Sequence, residues 1–130
     1  MDPTVAELMR RNLFDVFNEP DAGRRAAAAA VTYDEDVVWH DIDRLVHGRE
    51  ALAQRAGDVR REKPGWTFRS DGEVSVNDDL GHLGFRFGPA DAPPVVTGMD
   101  IARCKDGVIV ELYTFVTGVD QDVVDEAPAG

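Results

Sequence analysis

The chain has 130 residues, 43% hydrophobic and 30% charged, with 14 Lys and Arg against 25 Asp and Glu and a formal net charge of −11. That size and balance describe one globular domain, and the negative field excludes partners that present phosphate backbones or anionic membranes. No apolar run approaches the roughly 20 residues of a membrane span, the first residues lack a signal-peptide layout, and Cys104 has no partner for an internal disulfide; a cytoplasmic location is expected.

Thr4 and Glu7 have capping-box spacing, and Val5, Leu8, Met9, Leu13, Val16 and Phe17 recur on one helical face. Asn18-Glu19-Pro20 stops this first helix, and Asp21 caps a second through the alanine-rich stretch from Arg24 to Val31. Tyr33 to Asp36 reads as a polar joint, Val37 to His40 as a short strand, Asp41 to Arg44 as a loop and Leu45 to His47 as a second short strand. Gly48 breaks the chain before a third helix from Arg49 to Glu62, with Ala51, Leu52, Arg55, Ala56 and Val59 on or near its inner face.

Strand character dominates afterwards. Trp66 to Arg69, Glu73 to Val76 and His82 to Phe87 alternate with turns, and two long strands follow at 95–104 and 108–117. Residues 118–130 are small and acidic and are expected to fray from a core of about 1–117, all within a single domain 1–130. Helices first and antiparallel strands afterwards predict an α+β fold. Three helices of the N-terminal half would then pack on the concave face of a cone-like curved sheet of about four to six strands.

Asp100 is the one ionisable side chain in the apolar run from Val95 to Ala102. A carboxylate there must be paired, hydrogen-bonded or kept neutral, because burying it bare costs several kcal/mol. It is either a polar anchor, with Arg86 or Tyr113 as its partner, or a site with a shifted pKa. Hairpin register bears on the choice. A two-residue turn at Asp106-Gly107 sets Asp100 opposite Tyr113, and a three-residue loop from Lys105 sets it opposite Leu112.

The ordered set of Asn18-Glu19-Pro20-Asp21, Tyr33-x-x-Asp36-Val37-x-Trp39, Gly48, Trp66-x-Phe68, Phe85-x-Phe87-Gly88, Gly98-Met99-Asp100, Asp106-Gly107-x-Ile109 and Tyr113-x-Phe115 resembles the nuclear-transport-factor-2-like superfamily, and within it the SnoaL-like group. The resemblance runs over nearly the whole chain and implies a cone with an interior cavity. Trp39, Trp66, Phe85, Phe87, Tyr113 and Phe115 could line it, as could Tyr33 and His82; for any one aromatic an ordinary core position is the commoner role. By similarity to ketosteroid isomerase, Asp41 falls where that family carries its catalytic base and Asp100 where it carries an oxyanion-facing acid. Val96, Gly98 and Ala102 share the strand face of Asp100 and would leave room for a ligand.

Two departures narrow the expected chemistry. Leu13 stands where ketosteroid isomerase has a tyrosine, which argues against steroid isomerisation, and Thr114 or a neighbour stands where limonene epoxide hydrolase has a second acid. A SnoaL-like cyclase needs less: one acid/base and a fitted apolar pocket. The expectation is proton-transfer chemistry (isomerisation, cyclisation or dehydration) on a small hydrophobic carbonyl compound, with Asp100 as acid/base assisted by Asp41 or His40. The competing reading is a non-catalytic pocket or dimerisation module of the same fold. No cofactor and no metal are expected, since the histidines and acids lack ligand spacing. A homodimer formed through an outer sheet face near 108–116, with Val110 and Leu112 exposed, is expected from the resemblance.

Overall fold

A computed structural model describes residues 2–120. Three helices cover one face of a six-stranded curved, unclosed sheet ordered β2-β1-β6-β5-β4-β3. The helices are α1 (Val5–Arg11), α2 (Ala22–Thr32) and α3 (Arg49–Glu62). The strands are β1 (Tyr33–His40), β2 (Leu45–His47), β3 (Trp66–Asn77), β4 (Leu80–Pro89), β5 (Val96–Lys105) and β6 (Val108–Val119). The α+β class and the placement of the helices agree with the reading of the sequence.

Both sequence-read caps form. Thr4 and Glu7 close a reciprocal capping box, and Asp21 accepts the Arg24 backbone N–H at 2.8 Å. The first helix does not stop at Arg11. Asn12–Phe17 continues it with π-helical winding, and the Asn18 N–H donates to the Leu13 carbonyl, five residues back, at 3.1 Å. Asn12, Leu13, Val16 and Phe17 are all buried by this turn. Its end is pinned to β3, because the Asn18 amide donates to the Phe68 carbonyl at 2.8 Å and accepts the Phe68 N–H at 2.7 Å.

Several boundaries differ from the sequence reading. β1 starts at Tyr33, so the polar residues 34–36 lie in the strand and not in a joint. β3 is one strand with a register irregularity between Asp71 and Ser75, where Gly72 has φ 87°. β6 runs on through Gly118 and Val119; the rest of the expected tail, 121–130, lies outside the described residues. One pairing is parallel. β6 lies beside β1, and the long stretch between them supplies the crossover a parallel pair requires.

The register of β5 and β6 matches neither expected alternative. The turn is the two-residue form, with Asp106 at φ 53°, Gly107 at φ 79° and Lys105 opposite Val108. The pairing then steps from Cys104↔Ile109 to Arg103↔Glu111, so Val110 is a bulge. Asp100 consequently faces Thr114, and Tyr113 and Phe115 turn to the outer face of the sheet. Leu112, expected on that outer face, is fully buried.

Candidate functional site

The site is the interior of the cone. Leu83, Asp100 and Thr114 form one row across β4, β5 and β6, and Phe85, Gly98 and Val116 form the next. Trp39 on β1, Phe17 at the end of the π-helical turn and Phe68 on β3 complete an aromatic wall. Phe17 meets Trp39 edge-on at 5.2 Å between centroids, and Phe68 stacks on Phe87 at 4.0 Å. The aromatic side chains, Asp100, Thr114 and Val116, with Leu13 and Val96, line a cavity of about 320 Å³, at the small end of known ligand pockets. The exposed lining residues Ile42, Glu62, Lys63, Val116 and Val119 mark its mouth, with Asp41 and Arg55 lining it beside them.

Asp100 lies in the cavity wall, 6% exposed. Its Oδ1 accepts the Thr114 hydroxyl at 2.7 Å, and its Oδ2 accepts the Asn12 side-chain amide at 3.0 Å. Each donor is itself oriented. The Trp39 indole N–H donates to Thr114 Oγ1 at 3.0 Å, and the Tyr33 hydroxyl donates to Asn12 Oδ1 at 2.5 Å. The four hydrogen bonds of this chain of side chains therefore all run toward the one carboxyl. The net result is a carboxyl pushed up to about 6, because burial outweighs the two hydrogen bonds and the charge of Asp41 adds to the rise. Tyr33 is held well above its usual range by burial and by Asp100, so it stays a donor.

Neither expected anchor touches Asp100. Arg86 is exposed and pairs with Asp71 at 3.3 Å, and the Tyr113 hydroxyl donates to Glu111 at 2.9 Å. Asn12 was not anticipated. Its signal was a polar residue on the apolar stripe, four after Leu8 and three after Met9. Thr114 was legible only as the occupant of another family's acid position.

The remaining sequence-read residues divide by strand face. Trp39, Phe85, Phe87 and Asp41 do line the cavity with Asp100. His40 does not reach it. It alternates with inward Trp39, sits opposite Tyr113 and stacks on that ring at 4.2 Å on the outer face. His82, paired with Ile101, lies in the same outer row, and Phe115 is 48% exposed. Tyr33 is buried behind Asn12 and touches the site through its hydroxyl alone. Trp66 packs edge-on against Phe87 at 5.1 Å without lining the cavity. The room expected beside Asp100 is also smaller. A Cβ on Gly98 would come within 2.5 Å of Phe85 Cζ, so the Phe85 ring already occupies that space.

Asp41 combines two duties. Its backbone N–H donates to the Arg44 carbonyl at 2.9 Å and its Oδ1 accepts the Ile42 N–H at 2.8 Å, which closes the β1–β2 turn. Its Oδ2 lies 3.5 Å from Arg55 Nε at the mouth. Among the described residues no helix is long and apolar enough to cross a membrane.

Residues 11–112 match the model of the SnoaL-like domain, which is most of the chain. The chain belongs to the SnoaL-like family. No curated protein sequence matches it. Among solved structures, this SnoaL-like protein is similar to a candidate isomerase of the family from Agrobacterium tumefaciens str. C58, with TM-score 0.80 and 21% identity over 85% of this chain and 95% of that one. It is also similar to a candidate SnoaL-like polyketide cyclase from Jannaschia sp. CCS1, with TM-score 0.67 and 16% identity over 99% of both chains. An NTF2-like protein of unknown function from Mesorhizobium loti aligns with TM-score 0.65 and 26% identity over 88% of this chain and 91% of that one. These likenesses carry the fold, and the site must carry the chemistry.

Proposed function

We propose that this SnoaL-like protein binds a small, largely apolar carbonyl compound and moves a proton on it, with Asp100 as the acid/base. The observation that carries the reading is a carboxyl in the wall of an aromatic cavity, oriented by Thr114 and Asn12 and satisfied by neutral donors alone. A cation paired to it would have locked it as an anion; neutral donors and burial leave it able to exchange a proton near neutral pH. The substrate's own acidic carbon would do much of the remaining work. Asp41 supports the function by its charge, and His40 has no part in it. That solved neighbours include candidate isomerases and polyketide cyclases is consistent with this class of reaction.

The test is exchange of α-hydrogens for deuterium in small enolisable ketones and 1,3-diketones, followed by NMR in D2O. The wild-type protein is expected to accelerate exchange, with Asp100→Asn lowering the rate by roughly 10²-fold or more. With Asp100 as base, the rate should rise with pH through a midpoint near 6, as the carboxyl ionises. Exchange that survives in Asp100→Asn would remove the reading. Tight binding of these compounds without any exchange would favour a non-catalytic binding module instead.

A further inference from the structure

Leu13 lines the cavity and offers a substrate oxygen no hydrogen bond. Another lining residue does. Arg55, on the inner side of α3, is the one guanidinium among the residues lining the cavity, and its side chain is 18% exposed. Its partners hold it loosely. Nε lies 3.5 Å from Asp41 Oδ2 yet is buried without a hydrogen bond, and Nη1 reaches Glu62 Oε1 at 3.4 Å. Charge-assisted hydrogen bonds of this kind ordinarily close to about 2.7–2.9 Å. Nη2 makes no hydrogen bond at all among the described residues. The other cation of the mouth, Lys63, rests over the Trp66 ring at 5.0 Å. A guanidinium whose buried Nε has no hydrogen bond, in the lining of a largely apolar cavity, has a donor to offer an oxygen that is not part of the protein.

We propose that Arg55 is a catalytic residue of this site: it binds the substrate's carbonyl oxygen and stabilises the negative charge that develops there. The proposal rests on the Asp100 reading. The Asp100 carboxylate removes a proton from the carbon next to the carbonyl, the C–H electron pair becomes the new C=C bond, and the carbonyl π pair moves onto oxygen. That enolate oxygen lies against the guanidinium, and Asp100 returns the proton to the substrate at a different carbon, or the same one in simple exchange. No oxidant, reductant or further reactant enters. The substrate class is thereby narrowed to neutral enolisable ketones, whose oxygen gains charge only as the reaction proceeds and so draws on Arg55 most strongly in the transition state.

Two measurements test this. The first is binding of 4-nitrophenol as its phenolate, an enolate mimic, compared with nitrobenzene, which keeps the ring and lacks the oxyanion. Wild-type protein should bind the phenolate and lower the pH at which the bound phenol ionises. Arg55→Leu should lose phenolate affinity by about tenfold or more while nitrobenzene changes by less than about twofold. Arg55→Lys, which keeps the charge, should recover part of the loss. The second is α-deuterium exchange, in which Arg55→Leu should lower kcat by roughly 10²-fold with little change in KM.

Equal phenolate binding by wild type and Arg55→Leu overturns the proposal. So does a wild-type preference for nitrobenzene, which needs no variant to fold. Asp100→Asn separates the two readings. It should lower exchange by roughly 10²-fold or more and keep phenolate binding if both stand. Exchange that survives in Asp100→Asn sinks the Asp100 reading, while phenolate binding still decides whether Arg55 holds the oxyanion.

Discussion

Burial strips the Asp100 carboxyl of hydration that two neutral hydrogen bonds only partly replace, which moves it from 3.8 up to about 6. The folded state therefore binds this proton more tightly than the unfolded chain. Between about pH 4 and pH 6 the folded form holds more protons, so the stability linked to Asp100 is fully present below the lower value and lost as pH rises through the upper one. At about 1.4 kcal/mol per pH unit, the ionised group costs the fold roughly 3 kcal/mol at neutral pH. Chemical denaturation should accordingly find the stability difference between Asp100→Asn and wild type growing in favour of the variant, by up to about 3 kcal/mol, from pH 4 to pH 8. A pH-independent difference would contradict this account. The neighbours should tune the same group. Thr114→Val removes a hydrogen bond to the anion and should raise the Asp100 midpoint, and Asp41→Asn removes a repelling charge and should lower it. Carbonyl-carbon NMR titration of the Asp100 side chain reads both shifts without needing turnover.

At the level of elements, the Val110 bulge does more for the site than any single strand. Without it the Asp106-Gly107 turn would set Asp100 opposite Tyr113, and the outer row would occupy the cavity. The two-residue turn was legible as one of two alternatives, since Asp-Gly supplies the two positive φ angles a tight hairpin needs. The bulge was not, because nothing in Gly107-Val108-Ile109-Val110-Glu111 marks which residue goes unpaired. It follows from Ile109 and Leu112 both being fully buried, three apart in a strand whose faces alternate every residue. The π-helical turn plays the matching part in α1 by bringing Asn12 and Phe17 inward together. Within β5, Gly98 lets β6 and the Phe85 ring approach the strand directly. Gly98→Ala would drive its Cβ into the Phe115 carbonyl oxygen and to 2.5 Å from Phe85 Cζ. We expect it to lower stability by about 1–3 kcal/mol, with loss of the cavity's ligand binding, measurable by thermal and chemical unfolding.

For the whole molecule, the outer sheet face carries a row through all six strands: Ser75, His82, Ile101, Tyr113, His40 and Leu45. Phe115 and Leu45, 48% and 61% exposed, make this face apolar enough that we propose a homodimer through it. Light scattering should give twice the chain mass for wild type and the single mass for Ile101→Lys with Phe115→Lys; a wild-type monomer would refute the dimer. The sequence by itself determined the α+β class and the helix caps, and it singled out Asp100 as a candidate site, because those follow from spacing, capping chemistry and the cost of a charge in an apolar strand. Only the tertiary structure decided that its partners are Asn12 and Thr114, that His40, His82, Tyr113 and Phe115 face outward, and that Arg55 shares the cavity. Those outcomes turn on one unpaired residue in β6 and on side chains nearly ninety positions apart, Asn12 and Asp100. A local pattern carries no record of such a distant contact, because it is fixed by how the helices settle on the sheet.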